Sequence, residues 1–263
     1  MKMLADTSRT FYIPISRLKP GLKEAVASAY LCMRAIDEIE DHPEMEDSLK
    51  IQLLKGIGQA FEKEGEQEIY AALDAFLAPY RDSIPEVSLR ISDWASLCPT
   101  SIAPTVFRYI QEMSLGMAHW VERKWEIRTE EDLDQYTYCV AGAVGEMLSD
   151  LWAWYDDTKS DPVKAVAFGR GLQSVNILRN RSEDGTRGVN FFPEGWGMDE
   201  MVRYTRRNLK AADEYISELK KGPALDFCRI PLALAHATVN IIASGGSKLT
   251  RAKVLDIVAR VRG

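Results

Sequence analysis

Cysteine and histidine are scarce in this chain of 263 residues, which contains four cysteines and three histidines. The cysteines are far apart and form no C-x-x-C pair, so the sequence predicts neither a zinc site nor a disulfide framework. No histidine has the Ser or Cys context of a nucleophilic triad, so we expect the histidines to be structural. These residues are Cys32, Cys98, Cys139, Cys228, His42, His119 and His236.

Long apolar runs and basic stripes are also lacking. Residues 1–19 contain no apolar segment of signal-peptide length, and no run approaches the ~20 apolar residues of a membrane-spanning helix. The net charge is -6, and lysine and arginine are spread along the chain, which argues against a nucleic-acid partner. We therefore expect a cytoplasmic protein without a transmembrane segment.

Alternation with period two, which predicts strands, is never sustained, whereas apolar residues recur at helical spacing in nearly every long segment. No repeat or linker divides the chain, so we predict one all-α domain over residues 1–263. Proline falls between the predicted helices or in their first turn, except at Pro231, where the helix should kink or begin later. The predicted helices cover residues 20–41, 48–62, 66–78, 84–96, 101–126, 130–156, 161–183, 197–220, 224–243 and 249–261.

The sequence does contain two groups of oxygen-bearing side chains at helical spacing. In the first, called here the acidic turn, Asp37, Glu40 and Asp41 stand at i, i+3 and i+4 and share a helix face. The second, called here the amide face, contains Gln173, Asn176, Asn180, Glu183 and Asp184. Crowded carboxylates repel one another, and hard oxygen ligands suit Mg²⁺ bridging to a phosphate. For either group alone, a solvated polar face explains the pattern equally well.

Arg34 stands three residues before Asp37 and projects from the same face, where a guanidinium can bind phosphate oxygens with two parallel hydrogen bonds. The alternative is a simple pair with Asp37, which contributes about 0.2–0.5 kcal/mol. Ser8 and its neighbours near the N-terminus can similarly cap a helix or donate to phosphate. For Tyr136, the alternative to a catalytic role is core packing with a hydrogen-bonded hydroxyl.

Four blocks of the sequence resemble, in order and approximate spacing, the signature blocks of squalene and phytoene synthases. They are residues 8–11 (SRTF), 34–41 (RAIDEIED), 136–145 (YTYCVAGAVG) and 173–184 (QSVNILRNRSED). Similarity to the squalene synthase branch extends to residues 116–118, 191–193, 227–231 and 237–238. The resemblance therefore covers almost the whole chain.

This resemblance implies the all-α isoprenoid synthase fold, in which two aspartate-rich helices face each other across a central apolar cavity. It implies that allylic prenyl diphosphates bind through two or three Mg²⁺ ions. Family members join two farnesyl or geranylgeranyl diphosphates head to head, and squalene synthases then reduce the product with NADPH, whose use here stays open. An oily product would also favour transient contact with a membrane surface.

The resemblance also assigns roles position by position. The metal ligands would be Asp37, Glu40, Asp41, Asn176, Asn180, Glu183 and Asp184. The residues that bind diphosphate would be Ser8, Arg9, Arg34, Gln173 and Arg179. The catalytic residues would be Tyr136, Arg34, Asp37 and Asp41, with Tyr136 near the diphosphate that ionises.

One position departs from the family pattern, because the second motif usually begins with aspartate and here begins with Asn180. An amide oxygen can ligate Mg²⁺ but adds no charge, so the affinity for at least one ion should fall. Three outcomes stay open. The chain could be a head-to-head synthase, it could keep the fold but act as a cyclase, a phosphatase or an aromatic prenyltransferase, or it could bind isoprenoids without catalysis.

Overall fold

The computed structural model describes residues 2–7, 11–186 and 188–261, and within these ranges the regular secondary structure is helical throughout. The prediction of an all-α chain is confirmed. The first seven helices are α1 (Lys2–Thr7), α2 (Tyr12–Ser16), α3 (Leu22–Glu40), α4 (Asp47–Ala60), α5 (Glu66–Leu77), α6 (Glu86–Leu89) and α7 (Ile91–Ala95). The others are α8 (Ala103–Glu122), α9 (Glu130–Thr137), α10 (Ala143–Asp156), α11 (Pro162–Thr186), α12 (Met198–Glu218), α13 (Pro223–Ala243) and α14 (Arg251–Val261).

The chain divides into two compact units, unit 1 over residues 1–124 and unit 2 over residues 125–263. Each unit has its own buried apolar core. The acidic turn belongs to unit 1, and the amide face belongs to unit 2. The prediction of a single domain stays a prediction.

In unit 1, helix α3 is the central element and packs against α4, α6, α7 and α8. Its start is fixed by Gly21, whose backbone N–H donates to the Glu24 carboxylate at 2.5 Å. The hydroxyl of Ser88 donates to the carbonyl of Ala35 at 2.7 Å, which ties α6 to the C-terminal half of α3. Because burial on several sides leaves α3 little freedom, the last turn of this helix is a rigid support for the acidic turn.

In unit 2, helix α11 is the central element and packs against α10, α12 and α13. A π-helix over Tyr138–Gly142 separates α9 from α10 and also packs against α11. A Cβ atom added at Gly169 would lie 2.0 Å from the carbonyl oxygen of Ala141, and one at Gly145 would lie 2.0 Å from that of Ala165. Only glycine allows this close approach of the two backbones.

Most predicted helices are present with boundaries shifted by a few residues, and the departures are local. The helix predicted over 84–96 is two short helices that meet at Arg90, and the one predicted over 130–156 is interrupted by the π-helix. Helix α13 continues through Pro231, so it does not begin later, and the alternative of a kink at this residue stays a prediction. The short helices α1 and α2 were not predicted.

Helix α13 is the one helix in the described ranges that is long and apolar enough to cross a membrane, judged by length and composition. However, 56% of its most apolar stretch is buried inside the protein, as in a core helix of a soluble protein. A single helix of this kind is weak evidence for a span. The expectation that the chain has no transmembrane segment stays a prediction.

Candidate functional site

The acidic turn lies at the C-terminal end of α3, with Asp41 as the residue that caps the helix. Arg34 is one helical turn earlier. Its Nη2 forms a short hydrogen bond with the Glu38 carboxylate, and its Nη1 lies 3.9 Å from Oδ2 of Asp37. Its Nε is buried and has no hydrogen-bond partner. The guanidinium therefore retains a donor for another acceptor.

Asp37 carries the largest electrostatic perturbation of the acidic turn. Burial raises the pKa of its carboxyl group from 3.8 to about 7, the Arg34 guanidinium opposes this, and repulsion from Asp41 and Glu38 adds to it. Solvent still reaches the side chain, because 35% of its surface is accessible. Its negative charge is therefore poorly compensated at a place that an ion can reach.

Glu40 is more enclosed than its spacing suggests, with 8% of its surface exposed. The ammonium group of Lys50, itself 7% exposed, donates to the Glu40 carbonyl oxygen at 2.6 Å. No sequence pattern predicted a role for Lys50, which reaches the end of α3 from the first turn of α4. This buried cation lowers the net negative charge around the acidic turn.

The amide face lies on α11, and its first half is ordered by side-chain amides. Nδ2 of Asn176 donates to Oε1 of Gln173 at 3.3 Å, which leaves the carbonyl oxygen of Asn176 as the atom suited to a cation. Oδ1 of Asn180 accepts from Nε of its neighbour Arg179 at 3.1 Å. That oxygen keeps a second lone pair for a cation, although the positive charge of the neighbouring Arg179 guanidinium would oppose metal binding there.

The second half of the amide face contains one exposed and one buried carboxylate. Glu183 accepts from Nζ of Lys248 at 2.9 Å, and this hydrogen bond is the main reason why the pKa of Glu183 is lowered. Asp184 is 9% exposed and borders a cavity of about 10 Å³, which holds about one water molecule. The two neighbouring carboxylates therefore occupy different environments.

Tyr136 lies in the last turn of α9 and is 5% exposed. Its ring stacks on that of Phe191, with centroids 4.6 Å apart and planes at 19°. Nearby in sequence, the hydroxyl of Tyr138 donates to Glu146 at 2.8 Å. Tyr136 is thus held in an aromatic contact with residue 191 of the block 191–193.

The predicted site residues lie only in part within the described ranges. Ser8 and Arg9 lie outside the residues that the structure describes. Within residues 2–7, 11–186 and 188–261, no three His, Cys, Asp or Glu side chains come close enough to hold a metal ion together. The predicted ligand set, which also uses amide oxygens, stays a prediction.

The residues nevertheless fit Mg²⁺ and a diphosphate in their chemistry. Both groups offer oxygen donors, which Mg²⁺ prefers. The raised pKa of Asp37 marks negative charge that a cation would relieve, and Nε of Arg34 is a buried donor that an anionic oxygen would satisfy. A groove of about 350 Å³ in unit 2 is lined by residues between Asp213 and Val261 and contains no predicted site residue.

Solved structures share this architecture. A complex of TcSQS with the ligand E5700 superimposes with a TM-score of 0.77 at 20% identity, covering 98% of this chain and 84% of that one. The crystal structure of squalene synthase HpnC from Alicyclobacillus acidocaldarius gives a TM-score of 0.55 at 16% identity, covering 95% of each chain. The fold is therefore that of the all-α synthases of the squalene synthase type.

Sequence comparison gives the family. The family described as squalene/phytoene synthase matches residues 4–196. Squalene synthase of Rattus norvegicus is 29% identical over 90% of this chain, and squalene synthase ERG9 of Candida albicans is 27% identical over 99% of it. The chain belongs to the squalene/phytoene synthase family. It spans 62% of the length of the rat protein and 64% of that of the Candida protein.

Proposed function

We propose that this protein is a Mg²⁺-dependent prenyltransferase that joins two allylic prenyl diphosphates head to head, with farnesyl diphosphate as the substrate. Family membership supports the reaction class. The observation that carries the assignment of a site is the poorly compensated Asp37 carboxyl group beside Arg34, whose buried Nε has no hydrogen-bond partner. An accessible carboxylate next to a guanidinium hydrogen-bond donor suits a Mg²⁺ ion and a diphosphate that bind together.

In this proposal, metal ligands come from Asp37 and Asp41 on α3 and from Asn176 and Asp184 on α11, with Glu40, Asn180 and Glu183 as further candidates. Bound Mg²⁺ would supply positive charge to the departing diphosphate, and such fixed charge is usually the largest single catalytic contribution. Arg34 would donate from Nε to a diphosphate oxygen. Glu38 would keep the guanidinium oriented through its hydrogen bond.

Other residues would orient the substrate and shield from water the allylic cation that ionisation produces. Tyr136 is 5% exposed and stacked on Phe191, so its ring contributes an apolar wall while its hydroxyl can face the leaving group. Gln173 would orient the substrate, and Arg179 would bind diphosphate once it released Asn180. Ser8 and Arg9 are further candidates for diphosphate binding. Exclusion of water by the aromatic residues would protect the cation from capture.

A second candidate function follows from Asn180. This residue contributes no charge, and its oxygen is already hydrogen-bonded to Arg179. Weaker metal binding at this position would leave diphosphate ionisation possible while changing what captures the cation. The products would then be farnesol, a cyclic terpene or a prenylated acceptor, while the fold and the first ionisation step are the same.

The experiment is a product analysis by mass spectrometry after incubation of purified protein with farnesyl diphosphate, Mg²⁺ and NADPH. A C30 product is expected, and omission of NADPH shows whether a reductive step follows. Farnesol or a cyclic C15 product would support the second candidate. If protein with native circular dichroism gives no product at all, the proposed activity is wrong and a non-catalytic isoprenoid-binding protein becomes the better interpretation.

Cellular location belongs to the same proposal. We place the enzyme in the cytoplasm with transient contact at a membrane surface, because its product would partition into lipid. Fractionation of cells that express the tagged protein tests this. Recovery in the soluble and weakly bound fractions is expected, and recovery only after detergent extraction would contradict it.

A further inference from the structure

Three side chains from three helices of unit 2 meet at the end of α9. The hydroxyl of Tyr204 on α12 donates to Oδ1 of Asp134 on α9 at 2.6 Å. Nη2 of Arg170 on α11 donates to the backbone carbonyl oxygen of Asp134 at 3.0 Å, and Nη1 lies 3.9 Å from Oδ1 of the same residue. Tyr204 is 1% exposed, so its hydroxyl group depends on protein partners.

This cluster adjoins the point where the α-helical hydrogen bonding gives way to the π-helix Tyr138–Gly142. The hydroxyl group of Thr137 lies 3.2 Å from that of Tyr204 and donates to the carbonyl of Leu133 at 2.7 Å. A π-helix is rare and is found mostly as a single turn at functional sites. Its hydrogen bonding is less favourable than that of an α-helix, so the surrounding contacts must hold it in place.

The cluster also contains a polar group that does not serve stability. Nε of Arg170 is buried and has no hydrogen-bond partner, although the other guanidinium nitrogens contact Asp134. An unsatisfied buried donor is unfavourable for folding. The guanidinium thus holds both the backbone and the side chain of Asp134 although its Nε stays unsatisfied, which is consistent with a role in fixing the position of Asp134.

In the sequence, Tyr136 lies between the two residues that this cluster anchors, Asp134 and Thr137, and its ring stacks on that of Phe191. We propose that Arg170, Asp134 and Tyr204 form a clamp that fixes the start of the π-helix and thereby aims Tyr136 at the reacting diphosphate. They are positioning residues, since they act through Tyr136. This inference rests on the proposed function, in which Tyr136 stands near the ionising group.

The test uses Tyr204→Phe, which removes one oxygen and keeps the ring. With farnesyl diphosphate, kcat is expected to fall by about tenfold and KM to change by less than about twofold, because a small misplacement of a catalytic group slows chemistry. In the Tyr136→Phe background, the same substitution should change kcat by less than about twofold, because residues that act as a unit are non-additive. Asp134→Asn keeps an acceptor oxygen and should retain more kcat than Asp134→Ala.

Hydrogen exchange gives a readout that does not need activity. Tyr204→Phe should speed exchange of the amides in residues 135–142, in the presence or absence of substrate. The matched control is Tyr70→Phe in unit 1, which loses the same kind of bond, a tyrosine hydroxyl to a carboxylate at 3.0 Å on Glu66. That variant should leave both kcat and exchange in residues 135–142 unchanged.

Two results would overturn the clamp. One is unchanged exchange in residues 135–142 of Tyr204→Phe, and the other is a fall in kcat that is fully additive with that of Tyr136→Phe. Failure of the proposed function looks different: wild-type protein would then form no product from farnesyl diphosphate, while faster exchange in Tyr204→Phe would still show that the clamp holds the π-helix.

Discussion

Replacing Asp37 by asparagine should stabilise the metal-free protein at alkaline pH, although it removes a candidate metal ligand. Burial raises the pKa of Asp37 from 3.8 to about 7, with added repulsion from Asp41 and Glu38 that Arg34 offsets in part. Because the folded pKa lies above the unfolded value, the folded protein binds the proton more tightly. The stability that protonation provides is present below about pH 4 and is lost as pH rises to about 7.

The magnitude follows from the pKa and the exposure. The difference between 3.8 and about 7 corresponds to about 4 kcal/mol for a group shielded from water. Since 35% of the Asp37 side chain is exposed, solvent screening reduces this to about 1–2 kcal/mol. Each kcal/mol changes Tm by about 2–4 °C in a protein of this size, so the variant should melt about 2–8 °C higher at pH 8.

The assay is thermal unfolding in EDTA at pH 8 and pH 5, followed by circular dichroism. At pH 5 the gain should be smaller than at pH 8, because the folded carboxyl group is then partly protonated. Asp82→Asn removes one charge from an exposed side chain of unit 1 and should change Tm by less than about 1 °C. A lower Tm of Asp37→Asn at pH 8, or an equal gain at both pH values, would refute the reasoning.

Three further variants test other parts of the structure. Gly169→Ala places a Cβ 2.0 Å from a backbone oxygen and should lower the free energy of unfolding by about 3 kcal/mol in urea titrations. The control is Gly185→Ala on the same helix, because a Cβ at Gly185 meets nothing within 4 Å. Equal losses of stability in the two variants would contradict this prediction. Lys248→Met frees the Glu183 carboxylate and should raise Mg²⁺ affinity by no more than about fivefold, because exposed ion pairs contribute at most about 1 kcal/mol. If calorimetry shows weaker Mg²⁺ binding in this variant, the Lys248 ammonium group does not compete with the metal for Glu183. Asn180→Asp adds a charged ligand and should raise Mg²⁺ affinity at least about tenfold, which calorimetry also checks, and an unchanged affinity would remove residue 180 from the metal site.

Helical periodicity predicted the two elements that carry the candidate site. Helices α3 and α11 lie within two or three residues of the predicted ranges 20–41 and 161–183, because each has apolar residues that a buried central helix needs. The resemblance of four blocks to one family then predicted the fold, which a TM-score of 0.77 supports. Helical periodicity and the family resemblance were therefore sufficient to predict the fold and the two helices that carry the candidate site.

The features that the sequence did not predict depend on contacts between residues that are far apart in the sequence. The π-helix packs on α11 through the close approach of Ala141 to Gly169, and apolar spacing alone cannot distinguish a π-helix from an α-helix. The hydrogen bond of Lys50 to the end of α3 and the pairing of Lys248 with Glu183 join surfaces that only the fold brings together. These pairings change the charge around the site, so a list of acidic residues overestimates its negative charge.

The most direct test of the central claim is the release of inorganic diphosphate from farnesyl diphosphate by the purified protein. The claim predicts release in Mg²⁺, none in EDTA, and a loss of at least about 100-fold in Asp37→Ala, because removal of charge stabilisation at a leaving group costs about that much. Each of the products considered above requires this step. Release that continues in EDTA, or that Asp37→Ala leaves unchanged, would contradict magnesium-assisted ionisation at the acidic turn.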